Sequence, residues 1–512
     1  MTTSQSPTST FSTTAAQTGT PYLTKSSYVR ATKCPRLLWL SWHRRLPYEE
    51  PQPGSPAAIG IEIGEHAQRL FPDGVLVDEA PWQHDEAVAR TAELMSDPSV
   101  PAIFEAAFEA DGIRIRADVI ERLPDGGWGL REVKSSTRVK ADYAADAAIQ
   151  AHVMARSGVA PASIELIHVD RDYVYAGGPI DWPAFFARTD IAEQVAAERI
   201  DIDDLISEFQ HVLNTDAEPA IEPGPHCPQP CDYWEHCTAA KPADWTMHLP
   251  RMTARRFEAL SARGIERISE IPADFDLTEH QDRMRDVIVS ARPYVSPGLA
   301  NALAILEGPL SYIDFEAMNP AIPVYPGTRP YERLPFQWSL HQDDGNGGLT
   351  HQDFLAEADR TLDPRPAFTE TLVDALGPGT SPVVVYSPYE RTVLQDMARQ
   401  FPHLAADIEA IISRLVDLYV IVRDHVYLAG FNGSFSIKTV GRALAPHFTY
   451  DGLDHVSNGE QAAAAFQRLI STDLPPGEGA TLRDALLAYC RLDTLALVET
   501  HRALQRLAAG TT

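Results

Sequence analysis

Cysteine is scarce in this chain, with five among 512 residues, so a small disulfide-stapled scaffold is excluded. Positive charge is also short: 43 Lys plus Arg stand against 71 Asp plus Glu, a formal −28. That balance repels phosphate at long range, so nucleic-acid binding would have to rest on local basic patches and bound cations. Candidate patches are Lys33, Arg36, Arg44 and Arg45, and then Arg251, Arg255, Arg256, Arg263 and Arg267. A solvated charged face is the plainer account of both. No apolar run reaches about 18 residues, so no membrane-spanning helix is expected. Residues 1–20, rich in Ser and Thr, lack the basic start and apolar core of a secretion signal. They read as a disordered tail, and a cytoplasmic location is expected. No internal repeat is visible, and the length suffices for two or three hydrophobic cores.

Four of the cysteines fall around one segment. Cys227, Cys231 and Cys237 lie in PHCPQPCDYWEHC, and Cys34 in ATKCPRLLWL is the best fourth partner. Prolines 228 and 230 stiffen the loop, so three sulfurs can share a pocket. Four thiolates suit an iron–sulfur cluster or zinc, and free thiols are the remaining alternative; the uneven spacing is unlike paired zinc knuckles. Cys490 reads as a small buried apolar residue.

Between these cysteines, IRIRADVIERLPDGGWGLREVKSS reads as a β-hairpin. Asp118 lies on its first arm, and Glu132 with Lys134 on its second, two residues apart and on one face. The acids could converge on magnesium or manganese, although a solvated strand face has the same look. His66, on a helix upstream, is either another ligand or a structural histidine. Downstream, Asp142, Asp146 and Gln150 form one helical stripe.

The order Cys34, His66, Asp118, Glu132, Lys134, Gln150 and the cysteine trio resembles the RecB-like branch of the PD-(D/E)XK nucleases that carries a [4Fe-4S] cluster. The resemblance spans residues 21–240 and implies a mixed-sheet nuclease domain that cleaves DNA, with Cys34, Cys227, Cys231 and Cys237 holding a structural cluster. Gln150 would help position the strand. Met154 departs from the pattern, standing where that branch often has tyrosine, and the spacing within the trio differs slightly.

The second half has its own acids. In GPLSYIDFEAMN, Asp314 and Glu316 sit two apart on a predicted strand and share a face. Paired carboxylates repel unless a cation lies between them. Glu390 marks a strand-to-helix junction in SPVVVYSPYERTVLQDMA, RLVDLYVIV offers Asp417, and an amphipathic helix carries Tyr489 and Asp493 one turn apart. This set, over residues 305–508, resembles the DEDD exonucleases of the ribonuclease H-like fold, in the variant with a tyrosine in the last motif. It implies a three-layer α/β/α domain in which four carboxylates hold two metals and Tyr489 orients water. Glu390 replaces the usual aspartate, so Glu390 or Asp417 completes the set. Ser436 and Lys438 resemble the Ser-Leu-Lys segment of that family.

Residues 241–304 are expected to form a helical connector, broken at Gly264, which resembles a helix-hairpin-helix module; a packing hairpin is the alternative. The overall class is therefore α/β, with a mixed-sheet nuclease domain and a ribonuclease H-like domain, followed to residue 512. As a whole the arrangement is similar to a bacterial family described as a domain of unknown function. A metal-dependent deoxyribonuclease is the expected activity, in repair or defence against foreign DNA. A ribonuclease using only the second centre, or an inactive nucleic-acid-binding scaffold, are the alternatives.

Overall fold

A computed structural model describes residues 20–453, 455–471 and 474–510. Up to residue 19, the expected tail lies outside the described residues. The chain divides into two compact units, Met1–Ala240 and Lys241–Thr512, with the break just past Cys237. The class is α/β, and the sheets mix parallel and antiparallel pairs, as expected. Among the described residues no helix is long and apolar enough to cross a membrane.

In the first unit the strands are β1 (Leu23–Thr24), β2 (Val75–Leu76), β3 (Ala102–Ala110), β4 (Ile113–Arg122), β5 (Trp128–Lys134), β6 (Ser163–Val169) and β7 (Phe186–Asp190). They form a seven-stranded sheet in the order β2-β3-β4-β5-β6-β7, with β1 added parallel to β4. The antiparallel run β3-β4-β5 ends at the parallel β5-β6 pair, which needs a crossover, and helix α5 supplies it. The helices that bear on function are α1 (Lys25–Lys33), α2 (Pro35–His43), α3 (Pro56–Ala67), α4 (His84–Ser96), α5 (Asp142–Arg156), α6 (Ile202–Asn214) and α7 (Trp234–Thr238). The hairpin predicted from PDGG is present: Leu123 and Gly127 close it with a 2.8 Å hydrogen bond, and Gly126 takes φ 87°. Alternate residues Ile113, Ile115 and Ala117 are wholly buried in the core with Ala147, Ala151 and Met154 of α5, which fixes the register of the sheet on that helix.

In the second unit β8 (Tyr294–Val295) pairs with β14 (Val426–Tyr427), apart from the main sheet. That sheet comprises β9 (Leu310–Met318), β10 (Leu334–Asp343), β11 (Leu349–Leu355), β12 (Val383–Val385) and β13 (Leu415–Asp417), in the order β11-β10-β9-β12-β13. Helices are α8 (Ala254–Ser261), α9 (Glu279–Ser290), α10 (Pro364–Leu376), α11 (Tyr389–Gln400), α12 (Ala405–Ser413), α13 (Leu418–His425), α14 (Ile437–Leu444), α15 (Gly459–Leu469) and α16 (Glu478–Ala508). Odd positions of β9, Ile313 and Phe315, join a core with α10, α11 and α12, whereas Leu310 and Tyr312 join one with α13 and α16. The period of two thus makes three layers and turns Asp314 and Glu316, on even positions, toward α16.

Two expectations for residues 241–304 are corrected. They do not stand apart as a connector, because Leu249, Leu260, Ile268 and Met284 are buried in the same core as Leu310, Leu418 and Leu497. Nor do two helices flank Gly264: α8 precedes it, but Ile268–Glu270 after it is a single 3-10 turn. Gly264 takes φ 71° as the C-terminal stop of α8, with Ile265 N–H returning to Leu260 O at 3.0 Å.

Candidate functional site

In the first unit β4 and β5 bring Asp118 and Glu132 together across the hairpin. Asp118 Oδ2 accepts the N–H of Val133 at 2.8 Å, which ties its carboxylate to the neighbouring strand. Lys134 Nζ lies 2.6 Å from Glu132 Oε1 and 2.6 Å from Asp146 Oδ2. Gln150 Nε2 donates to Glu132 Oε2 at 2.6 Å, so of the predicted stripe on α5 Gln150 reaches a hairpin acid directly and Asp146 reaches it through Lys134. The third, Asp142, pairs instead with Lys33 at the exposed edge. Met154 is wholly buried one turn beyond Gln150. Lys25 was not foreseen: from the first turn of α1, its Nζ bridges Asp118 Oδ1 and Glu132 Oε1, 3.2 Å from each.

Burial raises the carboxyl of Asp118, and the charge of Glu132 adds to this. Burial acts the same way on Glu132, yet Lys25, Lys134 and the Gln150 hydrogen bond outweigh it and hold that carboxyl well below its usual range. Asp146 is pushed up to about 6 by burial and by Glu132. Glu105 is another unforeseen member. It has φ 53° within β3, where pairing steps from Phe104↔Val119 to Ala106↔Ala117. Although the residue is exposed as a whole, desolvation of its carboxyl and the charge of Asp118 raise it to about 7. His66 sits on α3 with its ring stacked on Trp182 at 4.0 Å, outside the hydrogen bonds that join these acids. Burial and Arg69 favour its neutral form.

The four predicted thiols share one neighbourhood. Cys34 closes α1 and opens α2, and with Leu37, Trp39, Leu40 and Tyr233 it forms a small core against which Cys231 and Cys237 pack. Burial pushes the Cys237 thiol up to about 11, and its neighbours Cys231 and Cys34 add to the rise. Cys227 is likewise raised by burial and by Cys34 and Cys231, and its sulfur accepts the N–H of Gly224 at 3.4 Å. An all-sulfur donor set is suited to a soft or thiophilic group that binds thiolates. Arg36 lies beside Cys227 and Cys237 and bonds Glu218 at 2.7 Å.

The second unit gathers acids of its own. One oxygen each of Asp314 and Glu316 and the sulfur of Cys490 lie within 4.8 Å of one another. Cys490 is wholly buried, but it is no apolar filler: its Sγ stands 3.6 Å from Asp314 Oδ2. Burial and the adjoining acids raise this thiol, so it faces the carboxylate as a neutral donor. Asp314 is raised by burial, then by Asp493, Glu316 and Glu390. Glu316 is pushed up to about 8 by burial and Asp493, although Lys438 counters. Glu390, in the first turn of α11, is pushed up to about 7 by burial; Ser387 Oγ donates to it at 3.1 Å. Asp493 is raised by burial despite accepting the Tyr450 hydroxyl at 2.7 Å.

Glu390 and Asp417 stand differently toward the Asp314–Glu316 pair. The charge of Glu390 acts on both Asp314 and Glu316, whereas Asp417 acts on Glu390, Tyr386 and Arg423 and caps α13 by accepting Tyr419 N–H at 2.9 Å. Ser436 caps α14, which carries Lys438. Lys438 Nζ is 3.3 Å from the Tyr489 hydroxyl and 4.8 Å from the centre of its ring. Tyr450 could not be read from sequence, because it lies on a loop far from any acid motif. Cys490 was visible beside Tyr489, but its orientation depends on how α16 meets β9.

The proposed basic patches are largely paired within the protein. Arg36 and Arg44 face Glu218, and Arg267 bonds Asp244 at 2.8 Å. Arg256 donates to Asp276 O, and Arg263 covers the ring of Phe275. Arg251 and Arg255 are exposed. A groove of about 910 Å³ runs past Thr24, Ser27, Arg30, Trp42, Arg45 and Tyr48, next to Lys25 in sequence.

Residues 311–436 match a family described as a domain of unknown function, DUF2779. The match holds Asp314, Glu316, Glu390 and Asp417 and ends before Lys438, Tyr489 and Asp493. A comparison with curated proteins finds no match.

Proposed function

We propose that the chain is a metal-dependent nuclease with two phosphodiesterase centres, acting on DNA ends or single strands. The observation that carries this is the convergence of Asp314, Glu316, Glu390 and Asp493, largely buried, with Lys438 countering Glu316 and Asp493. Like charges so placed hold one another protonated unless cations join them, and a set of carboxylate oxygens of this kind fits magnesium or manganese. Bound there, such ions would supply Lewis-acid stabilisation of a phosphoryl oxygen and a more acidic water.

The protein's own groups do the positioning. Tyr489, held by Lys438, presents a hydroxyl that burial and Asp493 keep protonated, so it can only orient a nucleophilic water, not deprotonate it. In the first unit Asp118 and Glu132 would hold the divalent ion, and Lys134 stands ready to neutralise charge on the phosphate. Gln150 fixes the rotamer of Glu132. The groove past Thr24 and Ser27 offers Arg30 to phosphates and the rings of Trp42 and Tyr48 to bases, the pairing that sequence-tolerant single-strand binding uses. Cys34, Cys227, Cys231 and Cys237 would hold an iron–sulfur cluster or zinc that fastens α2 to α7. DNA and metal as ligands, and the resemblance to the RecB-like and DEDD nucleases, belong to this one reading.

The test is direct. End-labelled single- and double-stranded DNA and RNA are incubated with Mn²⁺ or Mg²⁺, and then with EDTA. Metal-dependent products from DNA, with one subset lost in Glu132→Gln and the other in Asp314→Asn, support two centres. Cleavage of RNA alone, abolished by Asp314→Asn, would make the protein a ribonuclease. A stable shifted complex without products under every condition would leave a binding scaffold.

A further inference from the structure

The two acid clusters differ in how their charge is met. Asp314, Glu316, Glu390 and Asp493 have Lys438 nearby, at the Tyr489 edge of the group. Asp118, Glu132 and Asp146 instead have two lysines among them, Lys134 and Lys25. Lys134 lies outside the Asp118–Glu132 pair, bridging Glu132 to Asp146. Lys25 lies within it, with its ammonium 3.2 Å from an oxygen of each acid and 3.3 Å from the second oxygen of Glu132. Those are the oxygens a divalent ion would have to share. The lysine is well fixed: its neighbour Thr24 caps α1 and also belongs to β1, which pairs with β4, the strand of Asp118. The Lys25 side chain is only 20% exposed and Glu132 is wholly buried, so water screens this pairing little.

We infer that Lys25 is a tethered cation that occupies the divalent-ion seat of the first centre and must be displaced before metal loads there. This rests on the metal-dependent reading of Asp118 and Glu132. The lysine bridges the two carboxylates in the resting protein, with Val133 N–H holding Asp118 Oδ2 and Gln150 holding Glu132 Oε2. A divalent ion then enters a preformed site but loses the free energy of the bonds it breaks. The first centre therefore loads metal more weakly than the second. Its loading is also favoured by anything that offers the released ammonium a new partner, and the phosphates of a nucleic acid strand are such partners.

The experiment uses the full chain carrying Asp314→Asn and Glu316→Gln, so that the second centre is silent, and follows Mn²⁺ binding by electron paramagnetic resonance. In that background Lys25→Met should tighten Mn²⁺ binding by about tenfold or more, the scale of two charge-assisted hydrogen bonds to partly buried acids. Lys25→Arg keeps the charge and should bind as the parent does. Thermal melts supply a second readout: Mn²⁺ should raise the melting temperature of Lys25→Met more than that of the parent. Unchanged or weaker Mn²⁺ binding in Lys25→Met, or equal tightening in Lys25→Arg, overturns the proposal. If no Mn²⁺ binding sensitive to Asp118→Asn is found in either protein, the metal reading of this centre falls, and the proposal with it.

Discussion

The ammonium of Lys438 donates to the hydroxyl of Tyr489 at 3.3 Å and lies over its ring, so a loop-borne helix start and the long C-terminal helix meet at one phenol. Lys438 also donates to the carbonyl of Ser457, just before α15. It thereby fixes the tyrosine from above while Asp493 crowds it from its own helix. Tyr489→Phe keeps the ring and its packing but removes the hydroxyl proposed to orient water. Activity of the second centre should fall by about 10²-fold, within the range for positioned proton-handling groups, with little change in melting temperature. Lys438→Met removes the partner that holds the Tyr489 hydroxyl and should lower turnover, with metal binding kept. Single-turnover cleavage and metal titration check the two.

Glu390 and Asp417 give opposite expectations. Glu390→Gln removes a carboxylate that acts on Asp314 and Glu316, so metal binding and cleavage at that centre should both be lost. Asp417→Asn keeps a side-chain oxygen for the Tyr419 N–H and should leave activity near the parent level. Asp417→Ala loses the cap, costing about 1 kcal/mol of stability by the usual effect of N-cap removal. Denaturant melts and cleavage assays on the three proteins check this. Loss of cleavage in Asp417→Asn would move the fourth ligand to β13.

Much of this was legible in sequence because the signals were local. The PDGG turn with alternating residues on both arms fixed the hairpin of Asp118 and Glu132, and the two-residue spacing of Asp314 and Glu316 fixed their common face. What escaped was set by tertiary contact. Lys25 stands in an unremarkable Leu-Thr-Lys segment and matters only because β1 pairs with β4. Cys490 reads as packing because a helical cysteine usually packs, and only the approach of α16 to β9 brings it to Asp314. The segment after residue 240 read as a connector because it is short in apolar runs. It nevertheless contributes Leu249, Leu260 and Ile268 to a core it shares with the strands.

The raised carboxyls of the second unit make metal-free stability fall with rising pH. In the folded protein Glu390 is up to about 7 and Glu316 up to about 8, each above its ordinary value of 4.5. Between those values the folded state binds more protons than the unfolded chain, so stability declines as pH rises through that window. It is highest at the acid end, where both forms are protonated, and is lost as the folded carboxyls ionise against one another. In EDTA the melting temperature should drop from pH 5 to pH 8. Mn²⁺ should restore it most at the upper end, with proton release detectable as a buffer-dependent binding enthalpy. A melting temperature in EDTA that rises over that range would contradict the crowding of these acids.

The cysteine cluster should separate from the second centre entirely, since all four thiols belong to the first unit. Cys34 joins α1 to α2 and is buried, while its partners lie on the chain around α7. A bound group that ties these distant segments together closes a long loop, and its binding free energy becomes folding free energy for the unit. Cys34→Ala should therefore abolish stoichiometric iron or zinc, measured on protein purified without oxygen. It should also lower the first unfolding transition and remove the Glu132-dependent products. The Asp314-dependent products should survive, because none of Asp314, Glu316, Glu390 or Asp493 depends on that unit for its position among β9, α11 and α16. Full metal content in Cys34→Ala would show that the trio Cys227, Cys231 and Cys237 takes its fourth ligand elsewhere, with His226, whose ring nitrogen lies 3.8 Å from the Cys227 sulfur, the next residue to replace.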